Sequence, residues 1–181
     1  MKEAASAVRK RKIGCVELVS ASLDAARRIN RVSNCFIRMD EAFALDSASV
    51  VDRLAGGKQM PMAGIPMAHK DMFHRKDMPC SYGSSPELVQ VPKTTSRLLS
   101  ALDRSGAVQL GSLNMSEFAF GATGHNDHFG ACCNPWNPAY IAGGSSSGSG
   151  AAVASGAVFA ALGSDTGARC AYRQQLVGSL A

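Results

Sequence analysis

Residues 143–150 read GGSSSGSG, continue into Ala151–Ala154 (AAVA), and are followed by an apolar segment at 158–162 (VFAAL). A serine- and glycine-rich tract of this kind is often a flexible linker. Here, however, it precedes a helix-compatible run and then a strand-like run. A glycine-rich turn that brings its backbone close to a ligand has this order. The tract is therefore interpreted as a turn inside a folded domain.

Outward from this tract, helical and strand-like patterns alternate along the chain. Apolar residues at intervals of three and four predict helices at 15–30, 41–54 and 95–104, and short apolar runs predict strands at 35–39, 65–69 and 107–110. Asn114, followed three residues later by Glu117, predicts a short helix that begins with a capping box. The alternation indicates an α/β layered fold with a largely parallel sheet.

Composition narrows the class of protein. Of the 181 residues, 46% are apolar and 18% charged, and the mean hydropathy is −0.01, values typical of globular proteins. No apolar run approaches the roughly 20 residues that span a bilayer, and the N-terminus lacks the apolar core of a signal peptide, so we expect a cytoplasmic protein. The net charge of +5 is concentrated partly in residues 9–12, RKRK, which we expect to be a solvated helix face rather than an RNA-binding patch.

Lys70 is the first candidate for chemistry, because it follows the apolar segment GIPMAH at 64–69. Burial at the end of a strand would lower the pKa of its ammonium from about 10.4 towards neutrality, and a neutral lysine can act as a general base. The alternative is an exposed lysine paired with Asp71. Ser145, Ser146 and Ser147 need such a base, because a serine hydroxyl is otherwise a poor nucleophile.

Other sites fit the residues less well. The segment GSSSG matches the nucleophile elbow of α/β-hydrolases, but that fold needs a histidine downstream, and all four histidines, at 69, 74, 125 and 128, lie upstream. No Lys-Ser/Thr pair follows the glycines, as a phosphate-binding P-loop requires. His125 and His128 have no third ligand at a usual spacing, and the six cysteines form no CxxC pair, so we expect neither a metal site nor a disulfide framework.

Five segments occur together in a fixed order. They read AGIPMAHKD at 63–71, GSLNMSEFAFG at 111–121, NPWNP at 134–138, GGSSSGSGAAVA at 143–154 and ALGSDTG at 161–167. In these segments the chain resembles the amidase signature enzymes, which include amide hydrolases and the A subunit of the glutamyl-tRNA amidotransferase. The resemblance implies an α/β/α fold around a central mixed sheet, of which residues 1–168 would form the N-terminal part of a single domain.

The resemblance also implies a site. In that family a lysine, a serine joined through a cis peptide bond and a nucleophilic serine form the catalytic set. Lys70 matches the lysine, Ser145 matches the cis serine and Ser146 matches a supporting serine. The backbone amides of Thr166, Gly167 and Ala168 match the oxyanion hole.

The resemblance says less about the residues that bind the substrate. The segment 118–125 corresponds to the acyl pocket, although packing of a helix end is the alternative from the residues themselves. The implied partner is a small amide, and the implied chemistry needs no metal or cofactor. A subunit of an amidotransferase would also need partner subunits and tRNA.

The chain departs from the family at the nucleophile. The family pattern reads roughly GTDTGGS, whereas GSDTGA is followed here by Arg169, and arginine cannot attack a carbonyl. One codon assignment for 168–181, read from the last base of the Ala168 codon, gives SVRIPAAACGLVG, the expected family continuation. We therefore expect that 169–181 is an out-of-frame tail and that the chain as written is inactive. A non-catalytic binding protein that keeps the Ser/Gly loop is the alternative from another class.

Overall fold

The computed structural model describes residues 1–55 and 60–165, which form a four-stranded sheet with helices packed on it. The helices are α1 (Lys2–Arg9), α2 (Cys15–Ser33), α3 (Glu41–Leu54), α4 (Arg97–Arg104) and α5 (Ser147–Ala154). The strands are β1 (Phe36–Met39), β2 (Pro66–Lys70), β3 (Val108–Leu113) and β4 (Ala160–Leu162). The domain boundary predicted at residue 168 and the tail predicted at 169–181 lie outside the described residues.

The sheet is mixed. Its strand order is β1-β3-β2-β4, in which β2 pairs in parallel with both β3 and β4 while β1 pairs antiparallel with β3. Parallel neighbours need long crossover connections, and α4 lies between β2 and β3 while α5 lies between β3 and β4. The predicted α/β layered fold is confirmed, and β1 is the antiparallel exception within the part described.

The main core lies between one face of the sheet and the helices α2, α3 and α5. Leu23 of α2, Ala48 of α3 and Ala151 of α5 are buried there beside Leu110 and Leu113 of β3. A second, smaller apolar cluster consists of Ala5, Ile65, Met67 and Ala107. Leu102 of α4 packs against it. None of the helices in residues 1–55 and 60–165 is long and apolar enough to cross a bilayer.

The predicted capping-box helix at 114–117 is wrong. The structure has a single 3-10 turn at Glu117–Ala119, in which Phe118 has φ 48° and ψ 27°. Asn114 does not cap it, because its side-chain amide donates to the carbonyls of Asn34 (2.9 Å) and Gly130 (3.0 Å). Tertiary hydrogen bonds of a buried asparagine have replaced the local cap that the spacing suggested.

The segment 9–12 is largely solvated, as predicted, since Lys10, Arg11 and Lys12 are exposed, but it is not a helix face, because α1 ends at Arg9. The Arg9 guanidinium donates to the carbonyl of Met60 (3.2 Å), and that of Arg11 donates to the carbonyl of Ala55 (2.8 Å). These arginines are therefore structural donors that hold the N-terminus against the end of α3 and the segment that precedes β2.

Candidate active site

Lys70 ends β2 inside the protein. All five residues of the strand are buried, and the Lys70 side chain is 0% exposed. Its Nζ lies 2.7 Å from Ser145 Oγ and 2.8 Å from Ser164 Oγ. The alternative of an exposed lysine paired with Asp71 is wrong, because the Asp71 carboxylate instead accepts from the backbone N–H of Ser81 (2.8 Å).

The turn at Gly143–Ser146 presents the Ser145 hydroxyl to Lys70. The peptide bond from Gly144 to Ser145 is cis. Gly144 N–H donates to the carbonyl of Ala122 (2.7 Å), and the Ser145 carbonyl accepts from Ser116 N–H (2.9 Å). A Cβ on Gly144 would stand 2.7 Å from both Gly124 N and Ser116 Oγ, so this close approach requires glycine. The tract is a buried, fixed turn, and the linker interpretation is wrong.

Hydrogen bonds join this turn and α5 to the last residue of β4 and to the segment that follows it. Ser146 Oγ donates to the carbonyl of Ser164 (3.2 Å) and accepts from Ser164 N–H (3.1 Å). Ser149 Oγ donates to the carbonyl of Leu162 (2.9 Å). The supporting position predicted for Ser146 therefore corresponds to a bridge between two stretches of backbone.

Ser164 is a site residue that the sequence pattern did not identify. It lies within the segment ALGSDTG, two residues beyond the end of β4. Because β4 is parallel to β2, its carboxyl end meets the carboxyl end of β2, where Lys70 lies. That topology, once recognised, is the signal that could have identified the hydroxyl.

The segment proposed for the acyl pocket surrounds the turn. Beyond the contacts from Ser116 and Ala122, the N–H of Phe118 donates to the carbonyl of Tyr82 (2.8 Å). Phe118 is 58% exposed and Phe120 is 90% exposed. The acyl-pocket role of 118–125 stays a prediction, and the exposure shows that neither ring is buried among the described residues.

The histidines lie apart from this hydrogen-bonded set. His125 Nδ1 contacts Thr123 Oγ1 at 2.8 Å, and His128 Nε2 contacts Glu117 Oε1 at 3.1 Å, so the two have different partners. His69 is buried next to Lys70 in β2 and contacts Gln109 Oε1 at 3.2 Å. Burial lowers the pKa of His69 to about 4, so its ring is neutral near pH 7.

A buried amine in contact with two hydroxyls can move a proton along a short path. Lys70 and Ser145 are brought together directly, and Ser146 is linked to Lys70 through Ser164. The amides of Thr166, Gly167 and Ala168, and the position of Arg169, lie outside the described residues.

The Amidase family model matches residues 17–169 of this chain. The A subunit of the glutamyl-tRNA(Gln) amidotransferase of Aromatoleum aromaticum is 41% identical to it over 177 residues, which are 97% of this chain and 36% of the relative. The corresponding protein of Azoarcus sp. is 42% identical over 158 residues, 87% of this chain and 32% of the relative. The chain thus spans about a third of the length of these curated relatives.

Solved structures show the same relationship. A fatty acid amide hydrolase superimposes with a TM-score of 0.86 at 27% identity, covering 91% of this chain and 29% of the hydrolase. The peptide amidase of Stenotrophomonas maltophilia superimposes with a TM-score of 0.81 at 28% identity, covering 88% of this chain and 34% of the amidase.

Proposed function

We propose, because this chain belongs to the Amidase family, that its site is built for cleavage of a carboxamide C–N bond through an acyl-enzyme. The observation that carries the proposal is the 2.7 Å contact between Lys70 Nζ and Ser145 Oγ inside the protein. A small amide is the substrate class. The cytoplasmic setting expected from the sequence is part of the proposal.

In the proposed path a proton is relayed from the nucleophile to Lys70 when the acyl-enzyme forms, and it is returned to the leaving amine when the C–N bond breaks. The nucleophile's hydroxyl proton passes to Ser145 Oγ while the Ser145 proton passes to a neutral Lys70 amine, since complete burial favours the neutral form of a lysine. The nucleophile's oxygen bonds to the carbonyl carbon, the C–N bond breaks, and the leaving amine takes the proton back from Lys70. Water then hydrolyses the ester. Ser164, which contacts the same amine, holds Lys70 in position.

The nucleophile and the oxyanion donors are proposed from the family resemblance. Thr166, Gly167 and Ala168 would offer backbone N–H groups to the developing oxyanion. Arg169 stands where the nucleophilic serine is expected, and its fixed positive charge would disfavour a protonated lysine nearby without supplying a nucleophile. We therefore propose that the chain as written does not turn over amides, and that loss of one base displaced the serine.

A specific observation favours a second candidate in the same family. The curated relatives cited above are A subunits of a glutamyl-tRNA(Gln) amidotransferase, at 41% and 42% identity. In that case the amide would be glutamine, and the chain would work with partner subunits and tRNA.

The test restores the reading frame in the gene, so that SVRIPAAACGLVG follows residue 168, and measures ammonia release from simple amides and from glutamine. We expect turnover by the restored protein and none by the chain as written. A Lys70→Met variant of the restored protein is the matched control, with an expected loss on the order of a hundredfold or more in rate.

Each outcome separates the candidates. Release from simple amides favours a hydrolase, and release from glutamine that rises on addition of partner subunits favours the amidotransferase. A folded, restored protein that releases no ammonia from either favours a binding protein. Sequencing the gene tests the base loss separately, because an in-frame gene without a displaced SVRIP reading contradicts it.

A further inference from the structure

A cavity has Asp71, the residue after Lys70, in its wall, and it is lined by no residue of the Lys70 set or of the acyl segment. It has a volume of 210 Å³ and is lined by Ile37, Arg38, Asp71, Pro79, Ser81, Val89 and Phe129. Its walls are mostly apolar, with one buried carboxylate, that of Asp71. Apolar walls with a few fixed polar groups are the usual composition of a small-molecule site.

Asp71 lines this cavity, and only one of its two carboxylate oxygens accepts hydrogen bonds in the described part of the chain. The residue is only 2% exposed, and both hydrogen bonds of its carboxylate, from Ser81 N–H and Ser81 Oγ, go to Oδ2. Buried polar atoms without a partner in the described part of the chain belong to Arg75, Gln109 and Ser112. Oδ1 of Asp71 accepts no hydrogen bond from residues 1–55 and 60–165, and Asp71 lines the cavity.

The negative charge of Asp71 has no ion-pair partner among residues 1–55 and 60–165. Arg38, the cation at the cavity wall, directs Nε and Nη2 to the two oxygens of Asp40, at 2.6 and 3.0 Å. Its Nη1 donates to the carbonyl of Pro79 at 2.7 Å. Since Arg38 is committed to Asp40, the charge of Asp71 remains available to a cation that enters the cavity.

The walls are held in place before any ligand arrives. Cys80 and Gln90 exchange two backbone hydrogen bonds, at 2.8 and 2.9 Å, between the stretches that carry Pro79, Ser81 and Val89. A cavity whose walls are already fixed loses little conformational entropy on binding.

We propose that this cavity binds a small organic ammonium ion, with the ammonium on Asp71 Oδ1 and an apolar group against Phe129 and Val89. A cavity of about 150 Å³ admits benzene, so the volume of 210 Å³ has room for one ring that carries an aminomethyl group. The inference does not rest on amide hydrolysis, because it uses no residue of the proton path.

The test titrates the 181-residue chain with benzylammonium chloride at constant ionic strength and follows its backbone amides by NMR. We expect saturable shifts at Ser81, Val89 and Phe129, with a dissociation constant on the order of 1 mM. Benzyl alcohol, which has the same shape without the charge, should bind about tenfold or more weakly.

Three variants complete the test. Asp71→Asn removes the charge at nearly constant shape and should weaken benzylammonium binding about tenfold or more. Val89→Trp fills the cavity from its half-exposed rim and should abolish the saturable shifts. Asp46→Asn, an exposed acid on α3, should leave binding unchanged.

The proposal is overturned if the wild-type chain shows no saturable shifts, or if benzyl alcohol binds as tightly as benzylammonium. Unchanged binding in Val89→Trp overturns it as well. The comparison of the two probes uses the wild-type chain alone, so the result stands even if Asp71→Asn does not fold.

Discussion

The backbone of Gly148 lies against the carbonyl oxygen of Cys35, so closely that a Cβ on Gly148 would stand 2.2 Å from that oxygen and 2.6 Å from Asn114 N. This contact seats the first turn of α5 on the ends of β1 and β3. Alanine is ordinarily the better helix former by about 1 kcal/mol. We predict the opposite sign here: Gly148→Ala lowers the free energy of unfolding by about 3 kcal/mol, measured by urea denaturation.

The control for this prediction is Gly14→Ala, at the residue that precedes α2. A Cβ there would meet nothing closer than 3.7 Å. We expect a change of less than about 1 kcal/mol. Equal effects of the two substitutions would show that close approach does not decide the choice of glycine at Gly148.

Lys70 permits a direct test of its charge state. If the buried amine is neutral, a methionine of similar length should fit, and Lys70→Met should change the free energy of unfolding by less than about 1.5 kcal/mol. Lys70→Arg places an obligatory charge in the same position and should destabilise by about 3 kcal/mol or more. Thermal denaturation of both variants at one pH measures the difference. The reverse order of stabilities would contradict a neutral Lys70.

His69 should make the stability of the chain depend on pH. Burial is the largest cause that lowers its pKa to about 4; the hydrogen bond that its ring donates to Gln109 Oε1 and the charge of Asp40 oppose this, while Arg75 and Arg38 add to it. Between pH 6.5 and 4 the unfolded chain therefore binds a proton that the folded chain does not. The contribution of His69 to the free energy of unfolding is fully present above about pH 6.5. It falls by about 2 kcal/mol when the pH is lowered to about 5.

The measurement is urea denaturation of the wild type and of His69→Gln at about pH 7.5 and about pH 5, on either side of the ordinary histidine pKa. We expect the substitution to reduce the loss of stability between the two pH values. The exposed His125 provides the control, because His125→Gln should leave that loss unchanged. An identical loss in His69→Gln would assign the effect to other groups.

Arg75 and Asp103 form a two-pronged ion pair, with both oxygens 3.0 Å from guanidinium nitrogens. The Arg75 side chain is 7% exposed and lies 4.7 Å from the ring centroid of Phe43, whereas Asp103 is 38% exposed. Asp103→Asn leaves a buried guanidinium without its counter-charge. Because Asp103 is partly solvated, we expect a loss of about 2 kcal/mol in the free energy of unfolding.

A second ion pair supplies the comparison. Lys76 and Asp77 are 3.9 Å apart and both side chains are well exposed. Lys76→Ala should change the free energy of unfolding by less than about 0.5 kcal/mol. Calorimetry of Asp103→Asn and Lys76→Ala measures both losses. Similar losses would contradict the inference that burial of the Arg75 guanidinium makes its ion pair more important for stability.

The elements with strong periodicity could be predicted from the sequence, and those fixed by distant contacts could not. Helix α3 has the predicted bounds, because its apolar residues and its polar residues segregate locally. The helix expected at 114–117 failed because Asn114 binds Asn34 and Gly130, partners that no local pattern identifies. Helix α1 was not predicted, since only Ala5 and Val8 in it are buried.

The site shows the same division. The apolar segment before Lys70 correctly suggested burial of the lysine. The role of Ser164 depends on β4 lying beside β2, which a pattern of residues along the chain does not contain.

The contacts of Lys70 also fix the order in which the chain can assemble during synthesis. Its partners Ser145 and Ser164 are 75 and 94 residues further along the chain. At roughly 5–20 residues per second, the ribosome adds Ser164 about 5–20 s after Lys70. Contacts of such high sequence separation form late. Through that interval the Lys70 amine lacks both hydroxyls that contact it in the folded protein, so its hydrogen-bonded site is complete only after Ser164 has been added.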